Sequence, residues 1–91
     1  MLMIEYTTQF KRDLKRIKKR KKNLHVIHDI IQLIQSEKII PAKFRDHPLI
    51  GNWHHHRELH LEPDWLLIYK YELARNTVIF VRTRTHSDLF K

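Results

Sequence analysis

The apolar period changes once along this chain, and that change constrains the fold more than any other feature. From residue 8 to residue 36 apolar side chains recur at helical spacing; beyond residue 53 they recur at every second position. Between the two regimes lies a connection over residues 37–52 that holds Pro41, Pro48 and the only glycine, Gly51. Phe10, Leu14 and Ile17 mark one face of a helix over residues 8 to 20, with Thr7 or Thr8 as its N-cap. Asn23 can cap a second helix. Leu24, Ile27, Ile31 and Ile34 form its stripe, widened by Val26, Ile30 and Leu33, and it ends near Ser36 because Pro41 forbids much continuation. Ahead of both helices, Leu2 to Tyr6 reads as a short strand that turns Ile4 and Tyr6 inward.

In the second regime, Trp53, Leu59 and Leu61 share one parity, and His54, His56, Glu58 and His60 share the other. Glu62-Pro63-Asp64 is turn chemistry. Trp65 to Glu72 forms the next strand, apolar on both faces at its start and therefore central. Ala74-Arg75-Asn76 makes another turn, and Thr77 to Thr83 a third strand, followed by a tail. The class is α+β, in one domain over residues 1–91: an N-terminal strand, a two-helix hairpin, then a three-stranded antiparallel meander. Two consecutive helices with one apolar face each cover one face of the sheet. The other face is left for polar residues, with His56, Glu58 and His60 as candidates.

Charge narrows the partner. Eighteen Lys and Arg against ten Asp and Glu give +8, with eight histidines besides. Nine of the twelve residues from Lys11 to Lys22 are basic. The default partner of so cationic a small domain is a polyanion, although charge alone does not choose among RNA, DNA, an acidic membrane or an acidic protein. The absence of cysteine excludes a disulfide framework and a thiolate metal site, and fits a reducing cytoplasm. Met1-Leu2-Met3-Ile4 meets Glu5 at once, and the apolar run from Trp65 to Tyr69 is far too short to span a bilayer, so no membrane role is expected.

One set of segments is more specific than any bulk property. It comprises Phe44-Arg45-Asp46-His47-Pro48-Leu49, Gly51-Asn52-Trp53, Arg57-Glu58-Leu59-His60, Glu62-Pro63-Asp64-Trp65-Leu66-Leu67-Ile68-Tyr69, and Arg82-Thr83-Arg84-Thr85-His86-Ser87-Asp88-Leu89-Phe90. In order and spacing these resemble the YafQ branch of the RelE-like toxin superfamily, whose pattern runs D-H-x-L-x-G-x-W, then R-x-x-H-x-x-P-D-x-[LV]-[LI]-[IV]-Y, then R-x-G-[ST]-H-x-x-L-F. The resemblance implies a RelE-like fold and a toxin that cuts messenger RNA on the ribosome without a metal or other cofactor. It also implies silencing by a cognate antitoxin of the DinJ/RelB-like kind, with the toxin monomeric alone and a heterotetramer or larger assembly when bound. It places His47, His60, Asp64 and His86 at active-site positions, with Trp65 and Phe90 near them and Glu58 where relatives often carry another acid. Arg84 stands where the family usually has glycine. If that glycine serves a positive φ, Arg84 strains the backbone; if it serves access, Arg84 narrows the site and adds a phosphate-binding charge.

Cutting RNA without a metal needs a base for the 2′-hydroxyl proton, an acid for the leaving 5′-oxygen and positive charge for the phosphorane between them. Histidine can perform either transfer. His60 suits the base or a phosphate-orienting role, His86 the acid, and Asp64 a base or the partner that holds a histidine tautomer. Lys43, Arg57, Arg82 and Arg84 are candidate phosphate ligands, and Trp65 and Phe90 candidate platforms for unstacked bases, with Leu89 and Phe90 pinning the tail to the domain. The run His54-His55-His56 puts His54 and His56 on one side of a strand, in line with His60, a layout that can bind zinc. No adjacent acid or cysteine completes the ligand set, so no metal is expected. Two alternatives stay open: a gyrase inhibitor on the same fold, as in the ParE branch, which typically lacks these histidines, and a basic RNA-binding module without chemistry.

Overall fold

The computed structural model describes residues 1–86. Strand β1 (Met3–Tyr6) leads into helix α1 (Thr8–Lys19), and helix α2 (Leu24–Gln35) follows after a short turn. Thr7 caps α1 by accepting from the Phe10 N–H, and Asn23 caps α2 by accepting from the His25 N–H. Then come β2 (His47–Pro48), β3 (Arg57–Glu62), β4 (Trp65–Glu72) and β5 (Thr77–Thr85). The sheet order is β1-β5-β4-β3-β2. The antiparallel meander β3-β4-β5 stands as the period-two pattern predicts. Two additions were not legible: β1 joins β5 in parallel, and β2 extends the far edge with only two residues.

Both helices deliver their stripes to one side of the sheet. Phe10, Ile17, Ile27, Ile30 and Ile34 form a single core with Leu59, Leu61, Leu67, Tyr69, Val78 and Phe80, all buried. Each such side chain contributes roughly 1.5–3 kcal/mol by leaving water. Leu66 and Ile68, on the opposite parity of β4, are buried too, which confirms β4 as central. At β1 Ile4 and Tyr6 turn toward the core as expected. Leu2 is buried, Ile4 only partly so, and Tyr6 is exposed at its rim while its ring stacks on Phe10 and Phe80.

One acid of the basic helix is not a surface charge. Asp13 is 2% exposed and accepts from Arg82 Nε at 2.7 Å, from Arg82 Nη2 at 3.1 Å and from the Thr83 N–H at 3.1 Å. The reason lies in strand lengths. β1 pairs with β5 only as far as Phe80, so β5 continues without a strand neighbour on that side. There the Thr7 hydroxyl donates to the Val81 carbonyl, and Asp13 receives the Thr83 N–H. Side chains complete what the short strand leaves unpaired.

Candidate functional site

The alternation of β3 fixes the first part of the site. Leu59 and Leu61 enter the core, so Glu58 and His60 stand on the other parity. Pairing sets two rows across the sheet. His47, Glu58, Ile68 and Arg82 lie opposite one another in sequence, and His60, Leu66 and Arg84 form the next row. His47 reaches Glu58 with Nε2 3.5 Å from Oε1, and its ring stacks at 6.3 Å on that of His60. The other nitrogen, Nδ1, lies 2.6 Å from the Arg45 carbonyl. A carbonyl can only accept, so Nδ1 carries the hydrogen and Nε2 is the nitrogen turned to Glu58.

The second part forms at the β3–β4 turn. The His86 N–H donates to the Asp64 carbonyl at 2.9 Å. Lys22, at the end of the basic run, reaches over to Glu62 at 3.0 Å and Asp64 at 3.3 Å. The two parts meet in an open groove of about 800 Å³ lined by His60, Glu62 and His86, by Lys43 and Arg45, and by Asp29 and apolar residues of α2 and β3. Four sequence-predicted residues therefore fall into one region. His60 and His86 share the groove, His47 stacks on His60, and Asp64 holds the main chain of His86.

Other expectations need correction. Trp65 is fully buried, and its indole N–H donates to Thr83 Oγ1 at 2.8 Å, so no face is offered to a base. Its bulk was needed in the core beneath the turn. Arg82 is committed to Asp13, and Arg57 to Asp46 through Nε at 3.2 Å and Nη2 at 3.0 Å, so both guanidinium forks already hold carboxylates. Residues 54–56 are not on a strand: His54 and His55 sit in a turn, His55 at φ 73°, and His56 packs edge-on against Trp53. The straight row of His54, His56 and His60 is not formed. Arg84 has no positive φ and lies within β5, so the strain expected of a glycine replacement is absent. Gly51 does need its freedom, at φ 70°, although open space surrounds it. Leu89 and Phe90, the tail residues assigned to packing and base stacking, lie outside the described residues.

Sequence reasoning passed over Asp46. Besides Arg57, it accepts from the Tyr69 hydroxyl at 2.6 Å. Burial, and then the Asp46 carboxylate, push the Tyr69 hydroxyl well above its ordinary range, so it remains a donor. This network anchors the loop residue beside His47 to the central strand. Tyr69→Phe is expected to cost about 1.5–3 kcal/mol, the usual range for a hydrogen bond to a charged group. Thermal melting checks it; an unchanged midpoint would show that Arg57 alone holds Asp46. The signal was present in Asp46-His47, an acid adjoining a candidate catalytic residue.

A basic α+β domain with proton-transfer side chains along a groove is the class defined by this fold and site. Within that class the assignment is specific. Residues 2–91 match the family described as bacterial toxin of type II toxin–antitoxin system, YafQ, and the chain belongs to that family. It is 41% identical over 88 residues to the mRNA interferase toxin YafQ of Escherichia coli K12, covering 96% of this chain and 94% of that one. The crystal structure of YafQ from Escherichia coli BL21(DE3) superposes with a TM-score of 0.88 at 37% identity over the full length of both chains. The toxin in the Escherichia coli DinJ-YafQ complex gives 0.85 at 39% identity, again over both full lengths.

Proposed function

We propose that this chain is a ribosome-dependent endoribonuclease that cuts messenger RNA by histidine and aspartate acid–base catalysis, without a metal. The observation that carries this reading is one groove that His60 and His86 share with the cationic side chains of Lys43 and Arg45. Its likeness to the mRNA interferase of Escherichia coli supplies the substrate class. One group takes the 2′-hydroxyl proton, and the freed oxygen attacks the adjacent phosphorus. The bond to the 5′-oxygen breaks, and a second group returns a proton to that oxygen. His86 is assigned the acid, and His60 or Asp64 the base, with the His47–Glu58 pair beside His60 orienting it. Lys43 and Arg45, which line the groove, are assigned to meet phosphate, since Arg57 and Arg82 hold carboxylates.

A DinJ/RelB-like antitoxin is the expected partner, as the complex solved for YafQ suggests. An acidic or amphipathic antitoxin segment laid over the cationic face would neutralise it, with the toxin alone a monomer and the complex a heterotetramer or larger. No helix among the described residues is long and apolar enough to cross a membrane. Action on ribosome-bound messages supports a cytoplasmic location.

The test is a reconstituted translation reaction with the 5′ ends of the message mapped. Clustered new ends are expected. Intact message with blocked DNA supercoiling would transfer the reading to gyrase inhibition, and neither effect would leave an RNA-binding module. Cutting is also expected to survive a zinc-selective chelator that spares ribosomal magnesium; loss of cutting, restored by zinc alone, would return His54, His56 and His60 to consideration as ligands. Charge reversal at Lys15, Lys18 and Lys19, all exposed on α1, should weaken ribosome binding and flatten its salt dependence without moving the cut sites. A changed cutting pattern would show that α1 reads sequence.

A further inference from the structure

Lys22 differs from the lysines just before it. Lys18, Lys19 and Lys21 are exposed, whereas the Lys22 side chain keeps only 22% of its surface. The backbone arranges this. Lys21 takes a left-handed conformation at φ 59°, and the Lys22 N–H turns back to the Ile17 carbonyl at the end of α1. The side chain then crosses to a turn 40 residues away, where its ammonium meets Glu62 at 3.0 Å and Asp64 at 3.3 Å. The hydrogen bond to Glu62, with that to Asp64 behind it, holds the ammonium protonated above its ordinary range.

We infer that Lys22 is a positioning residue for cleavage: by bridging Glu62 and Asp64 it fixes the β3–β4 turn on which His86 hangs. The inference rests on the proposed roles of His86 and Asp64. Two carboxylates stand two residues apart across Pro63, at a turn where the ladder is irregular between His60 and Glu62. Their charges repel, and one cation between them removes the reason to part. Asp64 uses its side chain toward Lys22 and its carbonyl toward the His86 N–H, so displacement of this turn moves the His86 main chain and the imidazole with it. Glu62 lines the groove beside His60 and His86, so the same ammonium sets charge at the wall of the site. A small displacement of a proton-transfer group is costly, on the order of a hundredfold per ångström.

The test measures single-turnover cleavage of ribosome-bound message, ribosome affinity against salt, and melting for Lys22→Met, Lys22→Arg and Glu62→Gln. Lys22→Met is expected to slow cleavage roughly ten- to a hundredfold and leave the salt slope unchanged. Lys22→Arg, which can span both acids, should recover most of the rate. Combining Lys22→Met with Glu62→Gln should slow cleavage by less than the product of the two single effects, since both act on one turn. If the methionine variant does not fold, Lys22→Gln carries the same comparison. A salt slope lower by about one with an unchanged cleavage rate would make Lys22 a phosphate ligand instead and overturn the inference. Parent-like cleavage by the methionine variant, or equal loss in the methionine and arginine variants with lowered melting, would overturn it too. Asp64→Asn and His86→Ala run in parallel. Parent-like cutting by both would sink the site reading itself; dead variants there beside a parent-like Lys22→Met would sink only the present inference.

Discussion

His86→Ala will abolish message cleavage and leave folding and antitoxin binding intact. The side chain is exposed, and the contact that fixes its position, from its N–H to the Asp64 carbonyl, belongs to the main chain and survives the substitution. The melting midpoint should therefore move by no more than an exposed site usually allows, about 0.5 kcal/mol. Cleavage should fall by about 10²- to 10⁴-fold, the usual loss when one proton-transfer group is deleted. His86→Gln should be equally inactive, since an amide donates a hydrogen bond but cannot surrender the proton that the leaving 5′-oxygen requires. Single-turnover cleavage by both variants, measured beside their melting curves, decides the matter. Cutting within a few-fold of the parent would remove His86 from the acid role and reopen it to Asp64 or His60.

The second large effect falls on stability, at a residue that does not line the groove. Asp13→Ala should destabilise the fold by about 3 kcal/mol, the lower end of the range for breaking a buried ion pair, because Arg82 keeps partial access to water. The variant strands a guanidinium and leaves the Thr83 N–H without its acceptor. For a domain of this length such a loss lowers the melting midpoint by on the order of 10–25 °C. Asp13→Asn should fall between, since an amide oxygen still accepts from Thr83 but brings no charge to Arg82. Thermal unfolding by circular dichroism reads both. A shift of under about 2 °C in Asp13→Ala would mean that water replaces the carboxylate at this edge.

Asp13 also shows where sequence reasoning stops. Within a run of lysines and arginines a lone acid reads as one more solvated charge. Its burial depends on β1 ending at Tyr6 and on β5 running past it, a match between segments about 70 positions apart. Local signals carried well: Thr7 and Asn23 cap the helices they were expected to cap, and the two-residue alternation of β3 put His60 opposite Leu59 and Leu61. The parallel pairing of β1 with β5 left no periodic trace. For Trp65, aromatic character alone does not separate a base platform from a core filler; the depth at which β4 lies decides it. The histidine run was misplaced for a related reason. Alternation alone carries parity back through His54 and His56, whereas the positive φ at His55 ends it before Arg57.

The parallel pairing of β1 with β5 also sets an order of events during synthesis. Thr7 and Val81 are hydrogen-bonded across 74 positions, and β5 is flanked by β1 and β4 in the finished sheet. A nascent chain that has produced both helices but not residues 77–85 has nothing for β1 to pair with, no guanidinium for Asp13 and no β5 to seal the core. Contacts between such distant segments form slowly, since the loop must close before they can contribute. The groove and the fold are thus completed by the same late segment, since His86 follows directly on β5.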